Sequence, residues 1–142
     1  MQISNRTIRI LVLVVSIGIF IASLTQKCYC TTEFCGDSSA VFLSGVLGFY
    51  LSWAGLAWLA NPFLITSWIV IYRNPKLSLR ASILATIFAL SFLFFKNVMD
   101  NEGGVPVPIV SYLLGYWLWL ASSFVMLAGN LILYFKNRLA NT

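Results

Sequence analysis

The sequence contains no histidine and only four acidic residues among 142. Without imidazole, His-based nucleophilic triads and His-ligated metals are excluded. Charged residues make up 9% of the chain, where a soluble domain carries about 25%. That shortage excludes a disordered segment, a nucleic-acid binder and an ordinary soluble enzyme. Phosphate-cradling glycine loops and dinucleotide fingerprints are missing too. No catalytic residue, cofactor or metal site is expected, and no nucleic-acid partner.

What fills the chain instead is apolar: 60% of residues are hydrophobic and the mean hydropathy is +0.89. Four runs lack any Asp, Glu, Lys or Arg, at residues 10–26, 38–72, 81–95 and 103–135. A spanning helix takes about 20 apolar residues. In hydrocarbon the backbone must satisfy its own hydrogen bonds, so such runs are read as helices. Period-two alternation is absent, which argues against a membrane barrel.

The expected architecture is therefore all-α: a polytopic membrane protein, a single-domain four-transmembrane-helix bundle of two helical hairpins. Its spans are placed at 8–26, 40–72, 77–99 and 106–135. The second is read as one long helix kinked at Asn61-Pro62, because proline removes a backbone donor and crowds the preceding turn. The fourth opens on Val105-Pro106-Val107-Pro108, prolines that suit a helix start, after a Gly103-Gly104 turn. Arg80 and Lys96 flank the third span and can snorkel. Asn74-Pro75 marks a turn, and Ser78 is expected to cap the third helix.

Charge sorts by side. Arg6, Arg9, Arg73, Lys76, Arg80, Lys136 and Arg138 fall in the terminal segments and the second loop, with no acid among them. The first and third loops hold all four acids with Lys27 and Lys96. The positive-inside rule places both termini in the cytoplasm, in the inner (plasma) membrane of a bacterium. The first span resembles a signal peptide's n- and h-regions, but Ala22-Ser23-Leu24-Thr25 is a poor cleavage site, so retention is expected.

Small residues recur on the longer spans: Ser44, Gly48, Ser52 and Gly55 on the second, Gly115, Ser122 and Gly129 on the fourth. Such faces allow close helix approach. They serve packing within the bundle or docking of a partner membrane protein or second copy. The pattern Gly48-Phe49-Tyr50-Leu51-Ser52-Trp53 and Asn61 is loosely matched by Gly115-Tyr116-Trp117-Leu118-Trp119-Leu120 and Asn130, which hints at an internal repeat. Trp53, Trp58, Trp117 and Trp119 crowd the outer half, denser than an interfacial belt requires. They are candidates for a pocket that takes a lipid tail or a quinone-like ring. Trp68, Tyr72 and Tyr134 are read as the inner belt.

No ionisable group lies deep in any span, although ion-coupled carriers need one. Small multidrug exporters resemble this chain in having four short spans, but they depend on a buried Glu. All three cysteines, Cys28, Cys30 and Cys35, sit in the first outer loop. An extracytoplasmic position favours a disulfide, Cys28–Cys35 or Cys30–Cys35, with one thiol left over. Quinone-coupled thiol oxidoreductases resemble the chain in span count only, since they use two cysteine pairs. By elimination the expected function is non-enzymatic: binding another membrane component, as an accessory subunit or immunity-type protein does. Two alternatives stand beside it. One is binding or transport of a lipid or hydrophobic small molecule. The other is thiol or soft-metal chemistry in the cysteine loop.

Overall fold

The computed structural model describes residues 4–51, 53–99 and 105–139, with the backbone alone at 48–51. Among the described residues, four helices are long and apolar enough to cross a membrane: Asn5–Leu24, Trp53–Val70, Pro75–Phe94 and Leu114–Leu139. The molecule is mostly helical, but a small sheet joins one end of these helices, so the all-α expectation is corrected.

The first helix, α1, runs Asn5–Leu24, and the Ser4 hydroxyl accepts the Thr7 N–H at its start. Strands β1 (Lys27–Thr31) and β2 (Cys35–Asp37) follow as a hairpin. The Thr31 hydroxyl closes its turn, accepting from Phe34 N at 3.2 Å and Glu33 N at 3.3 Å. Helix α2 (Ser38–Leu51), a 3₁₀ segment (Trp53–Leu59) and α3 (Ala60–Val70) come next. Helix α4 (Pro75–Ser91) ends in a short 3₁₀ turn (Phe92–Phe94), and strands β3 (Asn97–Met99) and β4 (Pro106–Tyr112) lead into α5 (Leu114–Leu139). The strands form one antiparallel sheet in the order β2-β1-β4-β3.

Three boundaries differ from expectation. The run 38–72 is not one rod kinked at Pro62. Its helix ends at Leu51, and α2 packs back on the 3₁₀ segment, where Trp58 Nε1–H donates to Phe42 O at 2.8 Å. Pro62 sits in the first turn of α3, where a missing N–H costs least. The third span stops before residue 97, because Asn97–Met99 pairs as a strand with Pro106–Pro108. The fourth helix begins at Leu114 rather than 106, since Pro106 and Pro108 lie in β4. Ile109 N–H donates to Lys96 O at 2.8 Å. By alternation, residues 106 and 108 direct their missing donors away from β3.

The helix starting at Pro75 is capped by Asn74, whose side chain accepts the Leu77 N–H at 3.1 Å. Ser78 is buried one turn later and does not cap it. The Gly48–Trp53 pattern lies across the end of α2, residue 52 and the next 3₁₀ turn, whereas Gly115–Leu120 is regular helix. The two stretches therefore differ in backbone. Asp100, Glu102 and Gly103-Gly104 lie outside the described residues.

Packing joins α1 to α5, α5 to α4 and α4 to α3. Thus α1 packs chiefly on α5 rather than on the next span, whereas α3–α4 and α4–α5 are neighbours in sequence as well as in space. Two pairs of serines stitch them. Between α1 and α5, Ser16 Oγ reaches Ser122 O at 3.0 Å and Ser122 Oγ reaches Ser16 O at 2.9 Å. Between α3 and α4, the Ser67 and Ser78 hydroxyls each reach the other's carbonyl at 2.9 Å. Asn130 of α5 ties into the second pair, its Nδ2 donating to Ser67 Oγ and Ser82 Oγ at 3.2 Å and its Oδ1 accepting from Ser78. At the end away from the sheet, Asn5 Nδ2 donates to Asn137 Oδ1 at 2.8 Å, and the Arg9 guanidinium lies 5.7 Å from the centre of the Tyr72 ring. The basic segments around residues 6–9, 73 and 136–138 thus share one end.

At the sheet end, carbonyls around the end of α4 are met by tyrosines. Tyr112 OH donates to Phe92 O and Phe95 O at 3.2 and 3.3 Å, and Tyr116 OH to Ala89 O at 3.0 Å. Burial pushes the Tyr112 phenol above its usual pKa.

Candidate functional site

Beneath the sheet, between α1, α2, the Trp53–Leu59 segment and α5, lies a cavity of about 410 Å³. That volume falls in the range of about 300–1,000 Å³ that holds small ligands. Its walls follow from the fold. The turn-back of α2 brings Phe42 beside Trp58, their ring centres 6.5 Å apart. Phe20 of α1 meets Phe42 edge-on at 5.7 Å. Opposite, Tyr116 and Trp119 of α5 lie 5.9 Å apart, and Phe92 stands 5.7 Å from Tyr116. Tyr29 and Val98 of the sheet close the top. Exposed Ser44 and Leu47 of α2 and Met99 of β3 are also lining residues, so the cavity reaches the surface there.

Among the described residues, none that lines the cavity carries a charge. Most polar groups are already engaged. The Ser23 hydroxyl donates to Phe20 O at 2.6 Å and Trp119 Nε1–H to Asn61 Oδ1 at 2.8 Å. The Ser38 Oγ is buried without a hydrogen-bond partner.

Of the four tryptophans proposed as a pocket, two reach it. Trp58 and Trp119 line the cavity, whereas Trp53 is 80% exposed and Trp117 packs at the surface on Tyr112 and Tyr116. Trp68 is not a belt residue. It turns inward to donate to Ser16 Oγ at 2.9 Å and to meet Phe20 edge-on. Phe20, Phe42, Asn61 and Tyr116 escaped the sequence reading as cavity residues. Asn61 alone gave a signal, as a strong polar group in an apolar run.

The small residues divide. Gly129 and Gly115 are buried at close approaches, where a Cβ would run into Val12 and into Ser38 with the Lys27 backbone. Ser122 faces Ser16. All three serve contacts within the chain. Ser44 and Gly55 line the cavity, and Gly48 and Ser52 lie outside the residues whose surroundings are described.

The cysteines are placed by the β1–β2 hairpin. Cys30 and Cys35 are cross-strand partners joined by a disulfide. Cys28, outside that bond, is buried in the cavity wall, where its thiol donates to Gly36 O at 3.2 Å. Among the described residues no group of three His, Cys, Asp or Glu could hold a metal ion.

No family model matches the chain, and no similarity to a characterised protein or to a solved structure is found. The functional reading therefore rests on the geometry.

Proposed function

We propose that this protein is a non-enzymatic membrane protein that binds a hydrophobic small molecule or lipid in the cavity beneath the sheet. Both termini lie on the cytoplasmic side in this reading, and the sheet faces the opposite compartment. One observation carries it: an uncharged, ring-walled cavity of about 410 Å³ that opens beside the exposed apolar surface of α2. Aromatic walls with few polar groups are the usual make-up of a site for an apolar ligand.

Docking of a partner membrane protein or a second copy has less support. The α5 small residues that suggested such a face are engaged by α1 and Ser38. Thiol or soft-metal chemistry also has less, because two of the three cysteines are joined to each other. The basic segments gathered at one end support the orientation.

The test is extraction of the protein purified in mild detergent, followed by mass spectrometry of what it retained. Wild type and Trp117→Ala are expected to carry a stoichiometric apolar molecule that Trp58→Ala and Trp119→Ala lose. Equal recovery from all four, or none from wild type, removes the proposal.

A further inference from the structure

Trp119 sets the polarity of one wall of the cavity. An indole N–H can only donate, and this one is held by Asn61 Oδ1 at 2.8 Å. The Asn61 carboxamide therefore has a single orientation, with Nδ2 turned away from Trp119. Asn61 is 4% exposed and lines the cavity. Among the described residues, the bond to Trp119 is the one side-chain hydrogen bond Asn61 makes, so its Nδ2 donor is left to the cavity. Buried donors need acceptors. Trp58 cannot supply one, since its indole nitrogen only donates and already does so to Phe42 O. With no charge among the described lining residues, an ionised head group would lose its hydration and find no counter-charge there.

We propose that the cavity selects uncharged, lipid-like molecules that present a carbonyl oxygen to Asn61 Nδ2. This rests on the cavity being a ligand site and adds the chemistry by which it chooses. The aromatic walls at Phe20, Phe42, Trp58 and Trp119 favour a flat ring. A ring ketone and a glyceride ester meet the same donor requirement.

The experiment uses the full chain in mild detergent and equilibrium dialysis with three probes: a benzoquinone bearing one isoprenyl unit, monoolein, and oleate at a pH where it is ionised. At least one of the two uncharged carbonyl probes is expected to bind about tenfold or more tighter than oleate, and which one does identifies the source. Asn61→Asp still offers Trp119 an acceptor but replaces the free donor with an oxygen. It is expected to weaken the preferred probe by about tenfold, the effect of one hydrogen bond. Trp119→Phe keeps a ring and releases the carboxamide to turn, so it narrows the same preference even if the Asp variant does not fold.

Oleate binding as tightly as the carbonyl probes, or unchanged preference in the folded variants, overturns the selectivity. If lipid is still retained and lost on Trp58→Ala, the site itself survives that result. If no probe binds and nothing is retained, both fall.

Discussion

Around Ser67, Ser78, Ser82 and Asn130, short polar side chains fill the spaces between helices and satisfy one another. Around Trp58 and Trp119, large rings stand apart and wall a cavity. Both regions lie within the same apolar chain. Small hydroxyl residues let two backbones approach and then hydrogen-bond across the contact, which leaves no room for anything else. Rings hold the backbones apart and leave their few polar atoms facing inward. The end away from the sheet is therefore built to be closed, and the sheet end to receive. The sheet makes that possible, because it fixes the helix ends without filling the space beneath.

The largest effect expected at the closed end is from Gly129→Leu, which drives a side chain into Val12. Overpacking of this kind costs about 3 kcal/mol, read as a lower unfolding midpoint in detergent. Gly18→Ala on the neighbouring helix meets nothing within 4 Å and is expected to leave that midpoint unchanged or raise it, since glycine is a poor helix former. At the sheet end, replacing Cys30 and Cys35 with alanine removes a short loop closure worth about 2 kcal/mol. Hydrogen exchange in β1 and β2 should rise while α3 and α4 stay protected. Before reduction, a maleimide mass tag should attach at Cys28 alone and only after unfolding, and after reduction at all three cysteines. A tag on Cys28 in the folded protein would show that the cavity wall is open there. Asn130→Leu removes the residue that ties α5 to the Ser67–Ser78 pair and should cost about 1 kcal/mol. Ser16→Ala removes the bond to Ser122 O and the one from Trp68 and should cost about 1 kcal/mol, at about 0.6 kcal/mol for each such bond in membrane proteins. If Asn130→Leu changed ligand retention as much as Trp58→Ala, the separation between the two ends would fail.

The charge-free runs made α1 and the long helical part of α5 legible, because burial in hydrocarbon leaves a strong mark on composition. The break in the run 38–72 left none. Both α2 and α3 are free of charged residues, so nothing in the charge pattern tells a rod from a turn-back. Strands β3 and β4 were hidden for another reason: three residues are too few to show alternation, and Pro106 and Pro108 carry the signature of a helix start. The disulfide was narrowed to two pairings by spacing, and only the cross-strand register of Cys30 with Cys35 chose between them. The cavity was half visible. Tryptophan density pointed to Trp58 and Trp119, but Phe20, Phe42 and Phe92 reach it from elements far apart in sequence. Asn61 became informative only once its partner was known.

The clasp between Ser16 and Ser122 joins residues 106 positions apart. A chain elongates at about 5–20 residues per second, so α1 enters the membrane several seconds before its partner exists. During that interval the Ser16 hydroxyl can accept from Trp68 of α3 but has only its own helix carbonyls to donate to. The α1–α5 contact must therefore form late, after synthesis of α5, while α3 and α4, separated by a short turn, can pair at once. Any factor that holds α1 in the wrong place would act in that window.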